Sequence, residues 1–341
     1  MNEQISPEKL TAKDFASDQE VRWCPGCGDY AILKCMQRTL PELGLRPENI
    51  VFVSGIGCSS RFPHYMATYG FHTIHGRAPA VATGIKLANP DLSVWVVTGD
   101  GDGLSIGGNH MLHVLRRNVD LNILLFNNEI YGLTKGQYSP TSRQGTKSPS
   151  SPYGSVEGAV SACRFALGAG ARFVARAIDT DQKNMPDVFR RAHENKGASF
   201  VEIFQNCLVY NDQVFGEFAD RSVAKEMQVH AEHGEPLIYG SDNDKGLIFN
   251  TKKMCIETAT IGENGVTEKD ILVHDETNLS LANMLVALEP PQMPVVVGII
   301  YANPAATFEE QIFGQAEERK AIVGKGDLKA IMSAGRTWTV T

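Results

Sequence analysis

Ser93-Val94-Trp95-Val96-Val97-Thr98-Gly99-Asp100-Gly101-Asp102 is the stretch on which the fold turns. An apolar run without polar alternation reads as a strand buried on both faces, and the glycines after it read as a turn into a helix starting within 104–109. The next apolar run, 121–126, is a second such strand and delivers Asn127-Asn128 at its end. The alternation continues outward from this pair. Upstream stand a helix over 30–40 closed by Pro41, a strand over 49–54 and a helix over 76–87. Downstream come a helix over 156–167, a strand over 172–175, a helix over 186–194 and a strand over 199–204. Such alternation, with strands apolar throughout, specifies an α/β fold: a parallel sheet with helices on both faces.

Asp100 offers a hard anionic oxygen and Asn128 a neutral one. Octahedral Mg²⁺ accepts these donors while keeping places for phosphate oxygens and water. Gly99 and Gly101 let the backbone approach a diphosphate, and free N–H groups of the following helix can face it. A bare Gly-Asp-Gly is more often an ordinary turn, but its place between two buried strands makes this one a candidate diphosphate and magnesium site. The segment resembles the cofactor motif of thiamine-diphosphate enzymes. That resemblance implies Mg²⁺ held by Asp100, Asn128 and the backbone carbonyl of Ile130.

The 341 residues are 43% hydrophobic and 21% charged, enough for one large core or a main domain with an appendage. No apolar run has the length of a membrane span, and the polar start, 1–20, has no apolar signal core. Ser6-Pro7 and Thr11 are turn or cap positions in this lead-in. The net charge is −7, and no basic cluster exceeds Arg116-Arg117 or Arg190-Arg191, which argues against a nucleic-acid partner. Seven cysteines, an odd number in a chain that needs no disulfides to fold, fit a reduced cytoplasmic compartment with some thiols acting as ligands.

Cys24 and Cys27 form a CxxC, Cys58 follows the strand over 49–54, and Cys207 follows the strand over 199–204. Four thiolates can hold a [4Fe–4S] cluster or structural zinc, and spacing leaves both open. Location favours function over a buried thiol pair: ligands bind beyond the carboxyl ends of parallel strands, where Asp100 and Asn128 also stand. A metal group beside a thiamine site suggests electron transfer. Cys35, Cys163 and Cys255 lie in helical or mixed stretches and are spare.

With both motifs placed, the chain resembles the β subunit of 2-oxoacid:ferredoxin oxidoreductases of the 2-oxoglutarate type. The resemblance rests on Trp23-Cys24-Pro25-Gly26-Cys27-Gly28, Gly55-Ile56-Gly57-Cys58-Ser59, His75-Gly76-Arg77, Gly99-Asp100-Gly101-Asp102, the run from Asn127 to Gln137, and Gln205-Asn206-Cys207. It implies one [4Fe–4S] cluster on Cys24, Cys27, Cys58 and Cys207. It also implies thiamine-diphosphate contacts at Ile56, Gly57, Cys58, Ser59, His75, Gly101, Asp102, Gly132 and Leu133. Lys135 and Arg61 fall where the family recognises its 2-oxoacid, and two cations suit a dicarboxylate such as 2-oxoglutarate. The implied reaction is oxidative decarboxylation with coenzyme A, electrons leaving to ferredoxin, in an α₂β₂ assembly. The α subunit supplies the glutamate at the cofactor's pyrimidine, so this chain is inactive alone.

The sequence divides into an N-terminal segment with the CxxC and first helix (1–48), a thiamine-diphosphate domain (49–210) and a small C-terminal extension for subunit contacts (211–341). In the last, 211–280 is charged and irregular, 282–288 a short helix, 293–301 a strand and 308–328 a helix-periodic tail. His110 and His113, three apart on one helix, read as structural. Tyr69, Phe71 and Phe52 read as core or interface aromatics. Other readings stay open: pyruvate or broad 2-oxoacid specificity; a non-redox thiamine decarboxylase or carboligase with structural zinc; and an electron-transfer or scaffold subunit with a vestigial cofactor site.

Overall fold

The computed structural model describes residues 10–338 and residue 340. Its centre is an eight-stranded sheet. In chain order the strands are β1 (Ile50–Ser54), β2 (Tyr69–His72), β3 (Ser93–Gly99), β4 (Asn122–Asn127), a separate hairpin of β5 (Ile130–Tyr131) and β6 (Gln137–Tyr138), β7 (Phe173–Ile178), β8 (Ser199–Phe204) and β9 (Gln228–Ala231). A small sheet of β10 (Ile238–Tyr239), β11 (Lys245–Asn250) and β12 (Cys255–Thr260) follows, and β13 (Val295–Ala302) returns to the main sheet. The main order is β2-β1-β3-β4-β8-β7-β13-β9. Neighbours from β2 to β7 run parallel, β13 runs antiparallel to β7, and β9 follows β13 in parallel.

Alternate residues of each strand feed two cores, one on each face. Val51, Val53, Val94 and Val96 pack on one face beneath α2 (Ala78–Ala88), α4 (Gly108–Arg117) and α5 (Ala162–Gly168). Ile50, Phe52, Trp95 and Val97 pack on the other beneath α1 (Asp29–Thr39) and α6 (Met185–Glu194). Trp95 is fully buried between Phe52 and Phe189, and its ring N–H donates to Ser93 Oγ at 3.0 Å, so no polar atom is stranded there. The expected α/β sheet with helices on both faces is the fold observed.

The structure departs from the sequence reading in several places. The helix expected within 104–109 begins at Asp100 as α3 (Asp100–Leu104), breaks, and resumes as α4. The break lets Gly107 meet Gly76 backbone to backbone: a Cβ on Gly76 would stand 2.4 Å from Gly107 N. The helix expected from 156 starts only at Ala162; residues 156–160 before it are exposed and carry Gly158. β2 has no buried side chain and a glycine at its centre, so no apolar period announces it. Tyr69 and Phe71 stand exposed on it at the sheet edge, whereas Phe52 is core. Residues 211–280 are ordered into β9 and the β10–β12 meander, and β9 and β13 complete the main sheet. Thr11 forms a capping box with Asp14; the turn expected at Ser6-Pro7 lies outside the described residues. The tail is helical over Phe308–Val323 and Leu328–Met332, exposed beyond its first turn. No helix among the described residues is long and apolar enough to cross a membrane.

Candidate active site

The carboxyl ends of β1, β3, β4 and β8 lie side by side, so the segments that follow them converge. Asp100 opens α3 at the end of β3 and is buried; Ser139 and Thr141 both donate hydroxyls to its Oδ2. Burial pushes its carboxyl up to about 6 against those bonds, so the ionised form sits where a cation would compensate it. Asn128 accepts from Ile130 N–H through Oδ1 (3.2 Å) and donates through Nδ2 to Gln205 Oε1 (2.7 Å).

Asp102 holds the loops in place. Its Oδ1 accepts from Ile56 N–H (3.0 Å) and Gly76 N–H (2.8 Å) and lies 2.7 Å from His75 Nδ1, while its Oδ2 accepts from Thr98 Oγ1 (2.6 Å). Gly55 is required here, since a Cβ on it would fall 2.0 Å from Asp102 Oδ2. Gly101 is required by Tyr131, whose ring would meet a Cβ at 2.2 Å and whose hydroxyl donates to Gly101 O (3.1 Å).

These segments line a cavity, open to solvent on one side, with about 540 Å³ of empty space. Its wall includes Ile56, Gly57, Cys58 and Ser59 after β1, with His75 across from them. Asp100, Gly101, Asp102, Asn128, Ile130, Gly132 and Leu133 complete the expected set. A buried carboxylate, an amide oxygen and a glycine-lined cradle form a donor set that fits Mg²⁺ and a diphosphate.

A second cavity, of about 800 Å³, is lined by all four predicted cysteines, Cys24, Cys27, Cys58 and Cys207, together with Arg61, Lys135 and Arg22. Gly132 runs beside two of these sulfurs: a Cβ on it would lie in van der Waals contact with Cys58 Sγ (3.6 Å) and Cys207 Sγ (3.7 Å), so its backbone separates them from the cofactor cavity. Burial, followed by the Asp29 carboxyl, pushes the Cys58 thiol up to about 12 and the Cys27 thiol higher still. These half-buried groups therefore rest as thiols, and a nearby cation would be what favours the thiolate. Among the described residues no three His, Cys, Asp or Glu side chains close on a single point as ligands of one ion. The four thiols border this cavity together. Lys135 sits in the left-handed region (φ +75°) within the loop that lines this cavity.

Several residues of the site escape the sequence reading. Ser139, Thr141 and Ser142 lie in a stretch rich in Ser, Pro, Thr and Gly, a composition shared with surface loops, yet all three are buried. Trp23 Nε1 donates to Cys58 O (2.7 Å), fixing the third cysteine against the CxxC segment. Buried Glu129, pushed up to about 7 by burial and drawn back by Arg143, follows Asn128 in a left-handed turn (φ +54°). His110 pairs with Arg77. Cys35 and Cys163 are buried in α1 and α5, and Cys255 opens β12.

Fold and site together define a thiamine-diphosphate-binding α/β protein, and residues 55–203 match the family described as thiamine pyrophosphate enzyme, C-terminal TPP binding domain. The chain is 48% identical over 339 residues to the 2-oxoglutarate oxidoreductase subunit KorB of Mycobacterium tuberculosis, covering 98% of this chain and 89% of that one. It is 45% identical over 188 residues to the 2-oxoglutarate synthase subunit KorB of Methanocaldococcus jannaschii, or 55% of this chain and 70% of that one. A solved 2-oxoglutarate:ferredoxin oxidoreductase from Magnetococcus marinus, with 2-oxoglutarate, coenzyme A and succinyl-CoA bound, superposes with a TM-score of 0.76 at 34% identity, over 96% of this chain and 97% of that one. The chain belongs to the β subunits of the 2-oxoacid:ferredoxin oxidoreductases.

Proposed function

We propose that this chain, with an α subunit in an α₂β₂ assembly, oxidatively decarboxylates 2-oxoglutarate or a related 2-oxoacid, with coenzyme A as acyl acceptor and ferredoxin as electron acceptor through one [4Fe–4S] cluster. One observation carries the proposal: Cys58, Asn128, Gly132 and Leu133 line both cavities, so the cofactor site and the cysteine site share a wall. Thiamine diphosphate supplies the electron sink for decarboxylation. Asp100, Asn128 and the carbonyl of Ile130 would hold Mg²⁺, and Ser59 and His75 would donate to the diphosphate. Leu133 would wall the thiazolium ring. Cys24, Cys27, Cys58 and Cys207 would hold the cluster. Arg61 and Lys135 would receive the substrate carboxylates, Arg61 in a bidentate grip. A reduced cytoplasmic compartment, where cysteines serve as ligands, suits this reading.

The need for an α subunit has its own support. The only carboxylates on the cofactor cavity wall, among the described residues, are Asp100 and Asp102. The first is committed to the metal, and the second is bonded to Ile56, Gly76 and Thr98. Neither is free to serve the pyrimidine. Exposed Tyr69, Phe71, Ile74 and Ile106 flank the same edge and offer apolar surface for a partner.

The test is an anaerobic optical and EPR spectrum of the assembled enzyme before and after 2-oxoglutarate and coenzyme A. Broad absorbance near about 400 nm, bleached by substrate as a reduced-cluster signal appears, is the expected result. A colourless, zinc-containing protein would return the cysteines to a structural role.

A further inference from the structure

Gln205 follows β8, is 1% exposed, and lies between the two cavities, with its backbone N–H tied to Asn127 O at 2.8 Å. Its side chain makes three contacts. Oε1 accepts from Asn128 Nδ2 (2.7 Å), and Nε2 donates to Asn206 O (2.6 Å) and to Cys27 Sγ (3.3 Å). Asn128 in turn accepts Ile130 N–H on Oδ1.

The polarity of this chain is locked at both ends by backbone groups that cannot reverse. Ile130 N–H can only donate, so it demands Oδ1 of Asn128; Asn206 C=O can only accept, so it demands Nε2 of Gln205. Flipping either amide would set donor against donor or acceptor against acceptor at two contacts. The amide orientation of Asn128, and hence the place of its oxygen, is therefore set jointly by Ile130 N–H on one side and Gln205 Oε1 on the other. The second Nε2 hydrogen is left with one acceptor, the sulfur of Cys27.

We infer that Gln205 is a positioning residue that links the two centres, orienting the magnesium ligand Asn128 through Oε1 while donating to the cluster ligand Cys27 through Nε2. The inference rests on the cofactor and cluster reading above. Hydrogen bonds to cluster sulfurs favour the reduced, more negative state and raise its potential. A donor to Cys27 therefore makes the cluster a better acceptor, and the same side chain stiffens the cofactor's metal site.

Two near-isosteric substitutions separate the halves of this role. Gln205→Met removes both. Gln205→Glu keeps an oxygen for Asn128 Nδ2 but gives the sulfur no N–H: ionised, it places negative charge beside Cys27; protonated, its single O–H goes to Asn206 O. The assembled enzyme is titrated with dithionite under EPR to obtain the cluster midpoint, and Mn²⁺ binding with thiamine diphosphate present is followed by EPR in place of Mg²⁺. The midpoint falls in both variants, by about 59 mV for a tenfold shift in the one-electron equilibrium. Mn²⁺ binding weakens several-fold in Gln205→Met and stays near wild type in Gln205→Glu. General loss of structure would lower both readouts together in both variants, so this crossed pattern is the signature. Unchanged midpoints in folded variants overturn the inference and leave the functional reading standing. Wild-type enzyme without a [4Fe–4S] signal overturns that reading, and the inference with it.

Discussion

Asp100 illustrates how one side chain is prepared for a ligand. Burial opposes its charge, and two hydroxyls supply part of the stabilisation by donating to one oxygen. The Mg²⁺ proposed above would complete the pair at the other oxygen, and loss of one member of such a buried pair costs about 3 kcal/mol, roughly a hundredfold in affinity. Asp100→Ala is therefore expected to weaken thiamine-diphosphate binding at fixed Mg²⁺ by about that factor. Calorimetric titration of the assembled enzyme measures it, and an unchanged Kd would remove Asp100 from the metal. Arg61 makes a different prediction. It lines the cysteine cavity rather than the diphosphate cradle, so Arg61→Ala should raise the KM for 2-oxoglutarate at least tenfold and leave cofactor affinity alone. An unchanged KM would end its role at the distal carboxylate.

At the scale of elements, the Gly101–Tyr131 contact joins α3 to the β5–β6 hairpin. A methyl group on Gly101 must displace the Tyr131 ring, at a cost of about 1–3 kcal/mol typical of overpacking. Gly101→Ala should lower the Tm, and the loss should shrink in a Tyr131→Leu background, where space is returned; equal losses in both would place the strain elsewhere. The helix Ala224–Met227 is joined to the small sheet differently, through Glu226, which accepts from Lys245 Nζ (2.6 Å) and Ser241 N–H (2.9 Å). These bonds hold its carboxyl down at about 2. A lowered pKa means that the folded state binds fewer protons, so this contribution is whole above about 4.5 and fades as pH falls towards 2. The Tm difference between wild type and Glu226→Gln should accordingly close as pH drops through that window. A difference constant with pH would show that the carboxylate is not the source.

The same scale explains what the sequence disclosed. β1, β3, β4 and β8 are buried on both faces, so each reads as a largely apolar run, broken in β8 by the buried Glu202, and glycine, asparagine or cysteine stands at or just beyond its end. Those strand ends border the two cavities, which is why Asp100, Asn128, Cys58 and Cys207 could be singled out as candidates from the sequence. β2 was not, because an edge strand whose side chains all face solvent carries no hydrophobic period. Ser139 and Thr141 were hidden by composition: hydroxyl residues serve surface loops and buried carboxylates equally well, and only the fold brings them to Asp100. Gln205 was visible as part of a motif, but its link to Cys27 spans 178 positions and exists only once β8 lies against the CxxC segment.

For the whole molecule, the distribution of charge around the cofactor cavity argues that the catalytic unit is larger than this chain. The cavity has donors that fit a diphosphate and a metal, apolar surface for a ring, and a four-cysteine cavity behind one wall. Its two carboxylates are already bonded within the protein, and among the described residues no glutamate lines it. A general base at the pyrimidine is worth about 10²–10⁴ in rate, so without one the cofactor would bind but scarcely react. The chain purified alone is thus expected to bind thiamine diphosphate with Mg²⁺ yet show no 2-oxoglutarate-dependent reduction of ferredoxin, and addition of the α subunit should restore turnover in proportion to complex formed. Both halves matter, because binding by the single chain separates a missing base from a missing fold. Turnover by rigorously purified single chain would mean that a base within it has been overlooked, with Glu129, buried beside Asn128, the first residue to substitute.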